Sequence, residues 1–185
     1  MKNLILALVV FATFQSSVCF SQTDPNAEDR GYLVKVGDQA PSDFELILAD
    51  GTKTNLKSLR GKVVVLQFTA SWCSVCREEM PHLEKEVWQA NKNKGLVLIG
   101  VDRDEPLNTV KKFKQDMKIS YPLALDPGAD IFGRFANKKS GVTRNVVIDK
   151  NGKIVFLTRL YAPAEFKQMV RFIDSLVQTT SAQIN

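Results

Sequence analysis

The chain has 185 residues, 44% of them hydrophobic and 24% charged, with a formal net charge of +5. This composition excludes a disordered, collagen-like or low-complexity chain and suits one globular domain with a sizeable core. The lysines (Lys92, Lys94, Lys111, Lys112, Lys114, Lys138 and Lys139) are scattered and lack interleaved aromatics, so the positive balance reads as a solvated surface and nucleic acid is not expected as a partner.

At the start, Lys2 supplies a positive charge, Leu4 to Phe14 form an uncharged apolar run, and Ser16, Ser17 and Ser21 provide small residues at its exit. That is the pattern of a secretory signal peptide over 1–21, and the run is too short to span a bilayer as a helix. The expected cut follows Ser21. Cys19 keeps a second outcome open, a lipid anchor, although Val18 stands where a small residue is wanted before a lipidated cysteine. Export implies a periplasmic site, or a membrane-associated one facing the periplasm, where a pair of thiols forms a disulfide unless something keeps reducing it. Residues 22–34, polar and with Pro25 and Gly31, read as a flexible lead-in to one domain over 35–180, with 181–185 as a tail.

Residues 44–54 predict a strand, a turn at Asp50-Gly51 and a short return. The stretch KVVVLQFT at 62–69 is almost continuously apolar and β-branched, as a strand buried on both faces should be. A helix follows, with Cys76, Met80, Leu83 and Val87 on one stripe and Glu78, Glu79, Glu84 and Glu86 expected mostly elsewhere. Pro81 should kink it and Gly95 end it. Next come a buried strand at 95–102, a helix over 106–117, a short strand at 121–126 and a short helix around Ile131, Phe132 and Phe135. A hairpin joins 145–149 to 153–158 through Asn151-Gly152. The last helix starts near Pro163 and carries Phe166, Met169, Val170, Ile173, Leu176 and Val177 on one side. Strands separated by helices imply a parallel centre, and the closing hairpin adds antiparallel edges, giving an α/β fold.

The segment FTASWCSVCREEMP at 68–81 carries the chemistry. Cys73 lies where the buried strand gives way to the helix, facing backbone N–H groups that have no helical partner and the positive end of the macrodipole. A thiolate there is stabilised. Cys76 follows one turn later on the stripe facing the core, so an accessible sulfur and a shielded one stand within bonding reach. Cys73 can attack a substrate disulfide, and Cys76 can then attack Cys73 to release the reduced product. A zinc site needs about four ligands, yet the chain has a single histidine, His82, and no second cysteine pair. Neither metal nor cofactor is expected, and a purely structural staple usually closes a longer loop.

The segments VGDQAPSDFEL at 36–46, LRGKVVVLQF at 59–68, ASWCSVCREEMP at 70–81 and VIDKNGKI at 147–154 resemble the TlpA/ResA-like thiol–disulfide oxidoreductases, exported AhpC/TSA-type members of the thioredoxin superfamily. The resemblance covers nearly all of the expected mature chain. It implies a thioredoxin fold, a central mixed sheet flanked by helices on both faces, here with an N-terminal β-hairpin extension. It also implies a membrane-anchored or periplasmic reductant of protein disulfides, and export suggests that the electrons come from a membrane or periplasmic redox partner. Trp72 matches the exposed aromatic, Cys73 the nucleophile, Cys76 the resolving thiol, and Pro81 the proline five residues on. Glu105 lines up with an acidic residue near the cysteines and is a candidate proton acceptor for the resolving thiol. A solvated acid beside Asp102 and Asp104 is the competing reading. Gln67 stands where cytosolic thioredoxins keep a buried aspartate.

The largest departure is Thr143, which occupies the position of the family's cis-proline. A cis bond costs about 2.5–4 kcal/mol before an ordinary residue and only ~0.5–1 before proline. Either a trans bond with a reshaped groove or a strained cis bond held by its surroundings is expected. Two other functions stay in view. A thiol peroxidase of peroxiredoxin type needs P-x-x-x-T-x-x-C, but Leu66 and Ala70 fill the proline and threonine positions counted back from Cys73. A non-catalytic redox-sensing module would keep the fold without needing the intact cysteine pair.

Overall fold

The computed structural model describes residues 30–181, without the side chains of 179–181. The expected signal peptide and Cys19 lie outside the described residues. Strands β1 (Leu46–Leu48), β2 (Lys53–Thr54), β3 (Val63–Thr69), β4 (Leu96–Arg103), β5 (Leu123–Asp126), β6 (Arg144–Ile148) and β7 (Ile154–Arg159) form one sheet in the order β2-β1-β5-β4-β3-β6-β7. The helices are α1 (Ser74–His82), α2 (Leu107–Asp116), α3 (Phe132–Phe135) and α4 (Pro163–Ser181).

The expected mixture of pairings is present. Strand β3 runs parallel to β4, and β4 parallel to β5, each connected through a helix. The hairpin β6–β7 adds antiparallel pairs on one side of β3, and β1 adds one beyond β5. Every residue of β3 is buried, as a central strand with covered faces requires. Its side chains alternate between two cores. Val64, Leu66 and Phe68 join Ile99, Val101, Phe132 and Phe135 on one face, together with both active-region cysteines. Val63 and Val65 join Met80, Leu83, Val87, Phe113, Phe166, Met169 and Ile173 on the other. The helices α1, α2 and α4 thus share a face, while α3 covers the opposite one with help from Tyr32, Val34 and Phe44.

Three expectations are refined. Pro81 sits inside α1, and immediately after it Leu83–Gln89 continue as a wider π-helical turn rather than as a simple kink. Proline removes one N–H from the ladder and crowds the preceding turn, and wider spacing accommodates both. The turn between β6 and β7 is capped by Asp149, whose carboxylate accepts the N–H groups of Asn151 and Lys153 at 2.9 and 2.8 Å. Of the expected flexible lead-in over 22–34, the stretch from Arg30 onward is packed: Tyr32 bridges to Ala136 and donates its hydroxyl to the Thr158 carbonyl at 2.5 Å.

Phe68 anchors the face that carries the cysteines, with its ring centroid 5.4 Å from those of both Phe132 and Phe135. Phe68→Ala should lower stability by about 3–5 kcal/mol through lost contacts and the cavity left behind, measured by denaturant unfolding of the oxidised protein. A loss below ~1 kcal/mol would show that α3 does not pack there as described.

Candidate active site

Only four residues lie between the end of β3 and the start of α1, which takes the chain from a buried strand directly into a helix N-terminus. Cys73 is the N-cap residue, with extended backbone angles of φ −87° and ψ 105°. Its sulfur accepts the backbone N–H of Cys76 at 3.2 Å, one of the N–H groups left over at a helix start. Cys73 and Cys76 are joined by a disulfide with a Cα–Cα distance of 5.3 Å. Cys73 retains 9% exposure and Cys76 none, so the predicted order of access holds, although even the outer sulfur lies close to the rim. Trp72, at 64% exposure, stands out beside the pair.

Glu105 holds the loop in front of the cysteines. One carboxylate oxygen accepts the Ser71 N–H at 2.5 Å and the other accepts the Ser71 hydroxyl at 2.6 Å. Arg77 donates to the Ser71 carbonyl at 3.2 Å from the helix side. Both Glu105 oxygens are therefore engaged two residues ahead of Cys73. Next to it, Asp102 is wholly buried, with its carboxyl interacting with that of Glu105. Burial, and then the Glu105 charge, pushes the Asp102 carboxyl up to about 8, so at neutral pH it is mostly the uncharged acid.

The residue that the helical stripe missed is Glu79. The periodicity assigned it to the polar side, yet it is buried. Its carboxylate accepts from Asn145 of β6 at 2.6 Å and from Gln67 of β3 at 3.4 Å. Gln67 in turn accepts the Tyr121 hydroxyl at 2.8 Å, and the Asn145 amide also donates to the Thr158 hydroxyl at 2.9 Å. Desolvation pushes the Glu79 carboxyl up to about 7 against the pull of these hydrogen bonds. Cys76 and Glu79 are three residues apart on α1, so they are neighbours on its surface. A signal was present in the sequence: Gln67 and Asn145 are amides within two mostly apolar strands, and buried amides need partners.

Thr143 sits directly on the sulfurs. No cis peptide bond occurs among the described residues, so the bond before Thr143 is trans. Its hydroxyl lies 3.1 Å from the Cys73 sulfur and 3.2 Å from that of Cys76. The structure thus brings Trp72, Cys73, Cys76 and Thr143 together, with Glu105 holding the approach loop and Pro81 exposed farther along α1. Among the described residues, no group of three or more His, Cys, Asp and Glu could hold a metal ion. His82 stacks on Tyr161 and bonds Glu86 at 3.0 Å instead.

Residues 36–157 match the AhpC/TSA family model. The chain belongs to the AhpC/TSA family. It is 35% identical over 122 residues to the thiol-disulfide oxidoreductase ResA of Bacillus cereus, covering 66% of this chain and 68% of that one. A solution structure of a Bacteroides thetaiotaomicron protein, proposed to be a protein disulfide isomerase, is 54% identical with a TM-score of 0.78, covering 80% of this chain and 93% of that one. A crystal structure of a Chlorobium tepidum protein, proposed to be the thiol:disulfide interchange protein DsbE, is 27% identical with a TM-score of 0.67, covering 78% and 99%. The thioredoxin fold expected from the motifs is therefore the fold of this AhpC/TSA chain, and within the family its bonded Cys73–Cys76 pair marks thiol–disulfide oxidoreductase chemistry.

The buried carboxyl gives a pH test. The Glu79 pKa rises from 4.5 unfolded to about 7 folded, so the folded state binds more protons between those values and stability falls as pH rises through that window. Glu79→Gln keeps an acceptor for Asn145 and removes the charge. Its stability relative to the parent should be greater at pH 8 than at pH 4.5 by about 1–3 kcal/mol in denaturant unfolding. Parallel curves would mean that Glu79 is not desolvated as described.

Proposed function

We propose that this chain is an exported reductase of protein disulfides, with Cys73 as nucleophile and Cys76 as resolving thiol. The observation that carries the reading is the asymmetry of the pair: a rim sulfur receiving a helix-start N–H, and a fully buried partner one turn on. In the reduced state the same N–H favours the Cys73 thiolate. That thiolate attacks one sulfur of a substrate disulfide. The substrate S–S bond breaks, a Cys73–substrate disulfide forms, and the other substrate sulfur leaves with the electron pair as a thiolate. Cys76 then loses its proton and attacks the Cys73 sulfur, expelling the remaining substrate sulfur and forming the Cys73–Cys76 disulfide. Two electrons have passed to the substrate.

Glu79, with its pKa near 7, is the group best suited to take the Cys76 proton at neutral pH. Glu105, which sequence analysis offered for that task, instead orients Trp72 and Cys73 through Ser71. The exposed Trp72 ring offers an apolar contact to the polypeptide around a substrate disulfide. Pro81 shapes the helix behind the site through the π-turn that follows it. Export rests on the charged start, apolar run and small-residue exit of 1–21, and no described helix is long and apolar enough to cross a membrane. In an oxidising compartment the disulfide has to be re-reduced by a membrane or periplasmic partner. The reductase direction rests on that need.

Expressed from the full chain, Cys76→Ala should accumulate mixed disulfides with exported proteins in the periplasmic fraction, visible on non-reducing gels. They should vanish when Cys73→Ser is added. Adducts that persist without Cys73, or that form only in the cytosol, would contradict the proposal. Direction is read from the reduction potential in glutathione buffers. A reductase should fall towards the ~−270 mV end of the range for such dithiols, and a value near −120 mV would make it an oxidant.

A further inference from the structure

We infer that the Thr143 hydroxyl is a catalytic hydrogen-bond donor to sulfur, supplying to whichever cysteine carries negative charge a stabilisation that proline at this position cannot give. The inference rests on the Cys73/Cys76 exchange reading above. Its basis is placement. The hydroxyl is 3.1 Å from one sulfur and 3.2 Å from the other, within hydrogen-bond range of both. Thr143 is 2% exposed, and no other partner of its hydroxyl is found among the described residues. Its backbone is fixed on the far side, where its carbonyl accepts from the Leu160 N–H at 3.2 Å and from Arg159 at 3.3 Å. The side chain is thus a buried donor held on a rigid support and aimed at the reacting atoms.

A hydroxyl carries one hydrogen, so it serves one sulfur at a time. With both cysteines reduced, Cys73 is the anion, and it would receive the Cys76 N–H and the Thr143 O–H together. When Cys73 enters the mixed disulfide its sulfur becomes neutral. The same hydrogen is then free to turn to Cys76 as that thiol ionises, a change of direction and not of position. Hydrogen bonds to a charged acceptor are about twice as strong as neutral ones, so the donor follows the charge. The charged and titratable groups around the pair are Glu79 on α1, Arg77 on its outer face, Arg144 on β6, Arg159 on β7, Asp102 near the end of β4 and Glu105 just after it. Changing Thr143 alone leaves all of them in place.

Thr143→Val keeps the branched shape and removes the donor, and Thr143→Ser keeps the donor. The thiolate absorbance of each reduced protein near 240 nm, followed against pH, gives the Cys73 pKa without reference to any substrate. Valine should raise it by about one unit, a tenfold loss of thiolate below both values, while serine stays with the parent. Release of substrate thiol from a preformed Cys73 mixed disulfide should also slow about tenfold with valine and not with serine. Should valine misfold, Thr143→Ala provides the same comparison. A folded valine or alanine variant that titrates with the parent would overturn the inference while leaving the exchange reading intact. A parent whose Cys73 titrates like free cysteine would instead overturn the exchange reading.

Discussion

Four residues separate a fully buried strand from the first turn of a helix, and the backbone N–H groups at that start need acceptors that the helix cannot provide. Water reaches the spot poorly, and a sulfur meets part of the need: the Cys76 N–H points at the Cys73 sulfur. The helix dipole and the missing partners both act towards negative charge on that atom, against the desolvation that partial burial adds. The position of the thiol follows from the junction of β3 and α1, and the sheet, the two cores and α3 hold that junction still. Phe68 is packed by Phe132 and Phe135 on the cysteine side, and Met80 and Leu83 fix α1 from the other.

The interior around this junction is unusually polar for a fold with an all-buried central strand. Gln67, Glu79, Asn145, Tyr121 and Thr158 form one hydrogen-bonded chain across α1, β3, β6, β7 and the segment before β5. Beside it, Gly100 of β4 packs closely against Leu123, whose side chain a Cβ at that position would meet. A carboxyl with a pKa near 7 inside such a chain can lose or gain a proton at neutral pH without moving. The thiol–disulfide chemistry of an AhpC/TSA chain needs a proton to leave the shielded cysteine, and in the proposed mechanism Glu79 is the group that takes it.

Most of this fold was legible from periodicity. The apolar run at 62–69, the stripe through Met80, Leu83 and Val87, and the six apolar positions of α4 are patterns with little choice of structure, because one face has to be buried. The cysteine pair was legible because its spacing and place at a helix start carry a mechanism. What periodicity concealed lay next to the stripes. Glu79 adjoins the buried Met80, and its burial depends on Asn145, sixty-six residues away, which no local pattern connects to it. The role of Glu105 was also hidden, since sequence can place an acid near a cysteine but cannot show that Ser71 occupies both of its oxygens. Thr143 was visible as a departure from the family pattern. That its hydroxyl would stand between the sulfurs required the trans backbone and the position of β6.

The dependence of all this on a charged rim sulfur is open to one direct measurement: iodoacetamide alkylation of the reduced protein across a pH series, with the labelled cysteine identified by peptide mass spectrometry. The predicted result is a single fast site, Cys73, whose rate is half-maximal well below the free-cysteine pKa of about 8.5, with Cys76 nearly inert. Equal labelling of the two cysteines, or a Cys73 rate that rises only around that free value, would contradict the account.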